Sequence, residues 1–125
     1  MVILDTSIII DHLRRPPEQS HLLKLFRTYP DEVFAISVVT LQELYEGQST
    51  KNEEREKNLL SLLASLEILP YSAEVAKLAG VIARDLGKPI DLADAAIAAT
   101  TILSDARLAT INTKDFQGIV DLKVV

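Results

Sequence analysis

The chain has 125 residues, of which 48% are hydrophobic. That predicts one domain over residues 1–125, with a radius of gyration of about 14 Å and a core that needs no staple. Cysteine is absent, which excludes disulfides, thiol nucleophiles and cysteine-ligated zinc and fits a reducing, cytoplasmic setting; His12 and His21 are too few for a histidine-rich metal site. The net charge of −5 argues against a general nucleic-acid coat protein but not against a nuclease built on carboxylates, and no apolar run reaches the ~20 residues that span a bilayer.

Val2–Leu4 is a short apolar run that reads as a buried strand. Ser7–Leu13 reads as a helix through Ile8, Ile9, Ile10 and Leu13, capped by Thr6 or Ser7 and broken by Pro16-Pro17. Glu18–Tyr29 follows as an amphipathic helix, and Val33–Ile36 as a second strand. Ser37 caps a helix to about Glu46, closed by Gly47. The charged run Lys51–Lys57 reads as the solvated first turn of a helix carrying Leu59, Leu60, Leu62, Leu63 and Leu66. Ile68-Leu69 is a strand ended by Pro70. Helices are expected over Ser72–Leu86, with Gly87 at its end, and Asp91–Leu103. Leu108–Ile111 is a strand, Lys114–Phe116 a turn, and Leu122–Val125 a last strand. Strands alternating with helices predict an α/β fold. Its sheet is mostly parallel, with four or five strands, and is flanked by helices on both faces.

Acids or amides stand in unusually apolar company at four places. Asp5 ends the first strand, followed by the hydroxyls of Thr6 and Ser7; open α/β sheets place ligands at such ends. Burying an ionised carboxylate there is costly unless it is paired or metal-bound. Its competing reading is a helix cap. Glu43 shares a helix side with Val39 and Gly47, with Thr40 three residues before it; the competing readings are a solvent-facing glutamate and Glu46 in its stead. Asp94 opens an almost wholly apolar helix behind Asp91, where acids also suit the helix dipole. Asn112 and Asp115 follow the strand at Leu108–Ile111, and turn chemistry would account for both. In a parallel sheet Asp5, Asp94 and Asn112 can converge at one end. Two carboxylates ~4 Å apart repel by about 4 kcal/mol at an effective dielectric near 20, so such a cluster calls for a cation. All-oxygen donors suit Mg²⁺ or Mn²⁺ rather than zinc.

Val2–Ser7, Ser37–Gly47 with Glu43, Asp91–Ala99 with Asp94, and Leu108–Phe116, in this order, resemble the PIN-domain ribonucleases. Among these they are most similar to the VapC-type toxins of prokaryotic toxin–antitoxin pairs. The resemblance covers nearly the whole chain and implies a three-layer α/β sandwich. It also implies hydrolysis of RNA phosphodiesters with Mg²⁺ or Mn²⁺, leaving 5′-phosphate and 3′-hydroxyl ends. The family's three core acids fall on Asp5, Glu43 and Asp94. Asp5 and Asp94 would ligate the metal, and Glu43 would ligate it or orient water. Thr6, Ser7 and Asn112 would stand behind them. Many members have an acid at Asn112 and others at Asp115, so either residue is a candidate for the fourth position. Arg14, Arg15, Lys51 and Lys114 are candidate phosphate contacts. The resemblance further implies a VapB-like antitoxin, which often directs an arginine at the acids, and a homodimer. The apolar face at Val38, Leu41, Leu44, Leu59 and Leu63 is the candidate dimer surface.

Two alternatives stand beside this reading. A PIN-like binding protein with weakened catalysis, acting through a protein or RNA partner, is favoured by Asn112 and disfavoured by the retained Asp5, Glu43 and Asp94. A receiver-like phosphoacceptor needs an acid pair ahead of its central aspartate, and no acid precedes Asp5.

Overall fold

The computed structural model describes all 125 residues. Strands β1 (Val2–Leu4), β2 (Phe34–Ser37), β3 (Glu67–Leu69) and β4 (Arg107–Ala109) form one sheet in the order β3-β2-β1-β4. Every pairing is parallel, with Ile3 opposite Ala35 on one side and Leu108 on the other. The helices are α1 (Thr6–Arg14), α2 (His21–Thr28), α3 (Val38–Glu46), α4 (Glu53–Leu63), α5 (Ala73–Asp85) and α6 (Leu92–Leu103).

Successive side chains of a strand point to opposite faces, and the core follows that alternation. Val2, Leu4, Phe34, Ile36 and Ala109 pack on one face with Ile9, Leu22, Leu44, Leu59 and Leu63 from α1–α4. Ile3, Ala35 and Leu108 pack on the other with Ile97 and Ala98 of α6, and Phe116. Each fully buried aliphatic side chain here contributes about 1.5–3 kcal/mol. Four alanines, Ala95, Ala96, Ala98 and Ala99, let α6 lie close to the sheet. Its buried hydroxyls bond within the helix, Thr100 Oγ1 to the Ala96 carbonyl and Thr101 Oγ1 to that of Ile97, both at 2.8 Å. This is the expected three-layer arrangement.

β2 and β3 lie on one side of β1, and the chain then crosses to place β4 on the other. The connections therefore diverge between β1 and β4, the place where open parallel sheets form a crevice at the carboxyl ends of their strands.

Several boundaries differ from the sequence reading. The expected strand at Leu122–Val125 is one bridge, Leu108 to Val124. Left-handed turns at Gly118 (φ 87°) and Asp121 (φ 68°) use up the chain that would have extended it. The helix expected from Glu18 begins at His21, because Ser20 Oγ accepts from the Leu23 amide and Pro17–Gln19 form a 3-10 turn. Asp5, rather than Thr6 or Ser7, occupies the cap position of α1. Gly47 ends α3 with an ordinary φ of −73° and leads into a 3-10 turn, Gln48–Lys51, so its left-handed freedom is unused. The candidate dimer face changes most: Leu44, Leu59 and Leu63 are core residues, since α3 turns Leu44 and α4 turns Leu59 and Leu63 toward the sheet. Val38 remains exposed, together with Tyr45, Leu60, Ile68, Tyr71 and Leu92. No helix is long and apolar enough to cross a membrane.

Candidate active site

A cleft of about 660 Å³ opens at the carboxyl end of β1 and β4. Asp5, Glu43, Asp91, Asp94 and Asp115 line it, with Thr6, Ser7 and Asn112; Asp11, a sixth acid, lines it beside Arg14 and Arg15.

Asp5 reaches the cleft because β1 is central and ends there. The parallel ladder continues one step past it, with the Asp5 amide donating to the Ala109 carbonyl at 2.9 Å. The residue is only 4% exposed. Its carboxylate makes no cap bond to α1. Instead Oδ2 accepts from Ser7 Oγ at 2.7 Å and Thr110 Oγ1 at 2.8 Å. Those two hydroxyls in turn accept the amides of Ile111 and Asn112. The ends of β1 and β4 are thus tied through one carboxylate oxygen, and Oδ1 receives no hydrogen bond from the protein. Asp5 therefore occupies the cap position of α1 while its carboxylate serves the cleft instead of the helix amides.

Glu43 comes from α3, whose start is fixed by Ser37 Oγ accepting from the Val39 amide at 3.1 Å. Thr6 Oγ1 donates to Glu43 Oε1 at 2.6 Å and lies 3.0 Å from the buried Thr40 hydroxyl. A single hydroxyl therefore orients the glutamate toward the end of β1. Glu46, the rival on the same helix, accepts from Gln42 on the surface instead.

Asp94 stands in the first turn of α6 behind Asp91, which occupies the cap position without a side-chain cap bond. Burial pushes the Asp94 carboxyl up to about 7, and the negative charges of Asp5, Asp115, Asp91 and Glu43 push it the same way. Asp115 is carried on a 3-10 turn, Thr113–Phe116, anchored by the buried Phe116.

None of these five acids has an ion-pair partner; the carboxylates that do are Asp11, Glu32, Asp85 and Asp105. Nor are they closed on a common coordination point. The donor chemistry nevertheless fits a hard divalent cation: oxygen ligands only, mutual repulsion without a counter-charge, and a buried carboxylate with one oxygen spare.

Of the candidate phosphate contacts, Arg14 and Arg15 border the cleft, whereas Lys51 and Lys114 do not. Arg15 is engaged by Asp11, four residues back on α1. Burial works to raise the Asp11 carboxyl, but hydrogen bonds from His21 and Arg15 and the His21 charge hold it below the ordinary range. Asp91 and Thr110 have a larger part in the site than their sequence reading as cap and strand residue. Asp91 was legible through its three-residue spacing from Asp94. Thr110 carried no signal, because a threonine at a strand end is commonplace.

The PIN domain pattern matches residues 2–121. Ribonuclease VapC10 of Mycobacterium tuberculosis is 36% identical over 126 residues, covering 98% of this chain and 91% of its own. Toxin FitB of Neisseria gonorrhoeae is 31% identical over 128 residues, covering 93% and 91%. The crystal structure of VapBC2 from Rickettsia felis, bound to a promoter DNA fragment, contains a similar chain with a TM-score of 0.85 and 30% identity. That match covers 100% of this chain and 98% of the other.

Proposed function

The chain belongs to the PIN-domain family, and from that membership we propose that it is a VapC-type endoribonuclease, the toxin half of a toxin–antitoxin pair. It would work in the cytoplasm as one domain over residues 1–125. The observation that carries the reading is the acid cleft at the divergence of β1 and β4, where five of the six lining acids, all but Asp11, have no ion-pair partner.

Asp5 and Asp94 would hold a Mg²⁺ or Mn²⁺ ion, with Glu43, Asn112 and Asp115 as the further oxygen donors of the cleft. Such an ion, when bound, lowers the pKa of water and offsets charge on the phosphate. The remaining work is done by the chain. Ser7 and Thr110 fix Asp5 through Oδ2 and leave Oδ1 for the cation. Thr6 fixes Glu43 through Oε1, so that the carboxylate would be set to ligate the ion or to orient the attacking water. Positioning of this kind is typically worth 10–100-fold in metal affinity or activity. Arg14, at the cleft edge, faces the phosphate.

The partners follow from the same reading. An antitoxin covers the cleft and sets a cation against the acids. A second copy covers the apolar groove of about 930 Å³ beside α3, where Tyr45, Leu60, Ile68, Tyr71 and Leu92 are exposed.

The test is cleavage of RNA by the purified protein with Mg²⁺ or Mn²⁺, with and without EDTA, and by Asp5→Asn. Cleavage that EDTA and the substitution both abolish is expected, with 5′-phosphate ends. Undiminished cleavage by Asp5→Asn would remove Asp5 from the site.

A further inference from the structure

A second groove, of about 680 Å³, opens off the acid cleft between α1, the 3-10 turn Gln48–Lys51 and α4. The two hollows share Ile10, Arg14 and Glu43 along their common edge. Beyond that edge the character of the lining changes. The acids give way to Arg55, Gln48, Ser49 and Asn58. Glu43 is the groove's one carboxylate, and its Oε1 is already turned to Thr6.

The arginines are the informative part. Those that form ion pairs are Arg15, Arg84 and Arg107. Arg14 and Arg55 have no carboxylate partner, and both are exposed. Helical spacing sets Arg55 and Leu59 on the groove side of α4, while Glu53, Glu54, Glu56 and Lys57 line another surface hollow; Asn58 borders both. Two free guanidiniums in line with an acid cleft, in a chain of net charge −5, mark where a polyanion can approach. Their planar donor forks suit phosphodiester oxygens. A volume of this size lies within the roughly 300–1,000 Å³ of ordinary ligand sites.

We propose that this groove is the strand-binding arm of the active site. It holds the phosphates of single-stranded RNA next to the scissile bond, Arg14 nearest the cleft and Arg55 further along. Asn58 and Gln48 supply neutral donors beside them. Arg15 stays with Asp11 and orders the end of α1. The proposal deepens the ribonuclease reading and rests on it.

Binding and cleavage are measured on the full chain with a long fluorescent oligoribonucleotide and with a trinucleotide. Arg55→Gln is expected to raise KM for the long RNA about tenfold, as loss of one charge-assisted hydrogen bond does, with kcat and the trinucleotide unchanged. The slope of log affinity against log salt should fall by about 0.7, one phosphate contact on a single strand. Arg55→Lys should restore that slope, and Lys57→Gln, on the opposite side of α4, should leave everything unchanged. An Arg55→Gln protein with wild-type KM and salt slope overturns the proposal. So does one that keeps its RNA parameters and loses affinity for an antitoxin, since the groove then belongs to a protein. Wild-type protein that cleaves no RNA with either ion defeats the ribonuclease reading alone, and the salt slope of binding still decides the groove.

Discussion

The two ends of the sheet treat charge in opposite ways. At the amino end Glu32 accepts from the Met1 ammonium at 2.6 Å and from Arg107 at 3.0 Å, and Arg107 lies 4.9 Å over the Tyr29 ring. Hydrogen bonds from the amino terminus and Arg107 hold the Glu32 carboxyl below its ordinary range, although burial opposes them. At the carboxyl end Asp94 is pushed the other way by burial and four neighbouring acids. One end is neutralised within the protein. The other is left with repulsion that only something outside the chain can relieve, and an unrelieved cluster of charge is more often a working site than a structural one.

The largest effect comes from emptying the repelling end. Asp94→Asn or Asp5→Asn should lower RNA cleavage by at least about 100-fold, the upper range for loss of a group supporting a metal. The Asp94→Asn protein should melt no lower than wild type without metal, because a carboxylate facing four others has been removed. Thr6→Val keeps every acid and loses only the hydroxyl that orients Glu43. Its cleavage should fall about tenfold with a wild-type circular dichroism spectrum.

The two ends also predict opposite responses to acid. Folded Asp94 titrates near 7, against 3.8 for the ordinary carboxyl, so over that interval the folded state holds the extra proton. Metal-free protein should therefore gain stability as pH falls from about 7 to about 4. Asp94→Asn should flatten that gain in melts taken across the interval. Glu32 is shifted below 4.5, so its contribution is present above that value and is lost as pH falls through its folded pKa. The smallest effect is expected from Glu32→Gln: a slightly lower melting temperature at pH 7, a weaker loss of stability in acid, and unchanged RNA cleavage. A change in cleavage would mean the two ends are coupled.

Much of this contrast was legible in the sequence because it depends on order and alternation. Val2-Ile3-Leu4 followed by Asp5 specifies a central strand with a carboxylate at its end. Ser37 and Asp91 mark where the helices bearing Glu43 and Asp94 begin. What could not be read depends on contacts across the sheet. Thr110 acts only because β4 lies beside β1, 105 residues away from Asp5. Leu44, Leu59 and Leu63 looked like one apolar face with Val38, but α3 turns Leu44 into the core and α4 does the same with Leu59 and Leu63 while exposing Leu60. The ending at Leu122–Val125 is apolar enough for a strand, yet the turns at Gly118 and Asp121 leave one bridge. Lys114 adjoins Asp115 in sequence, yet neither it nor Lys51 lines the cleft.

A divalent cation seated in the acid cleft should show itself in thermal melting at pH 7, in EDTA against excess Mn²⁺. A cation bound only by the folded state adds about 2.7 kcal/mol at a hundred times its Kd. Mn²⁺ is expected to raise the melting temperature of the wild-type chain and to leave that of Asp94→Asn where EDTA left it. Equal melting temperatures in EDTA and Mn²⁺ for the wild-type chain, or an equal rise in both proteins, would contradict it.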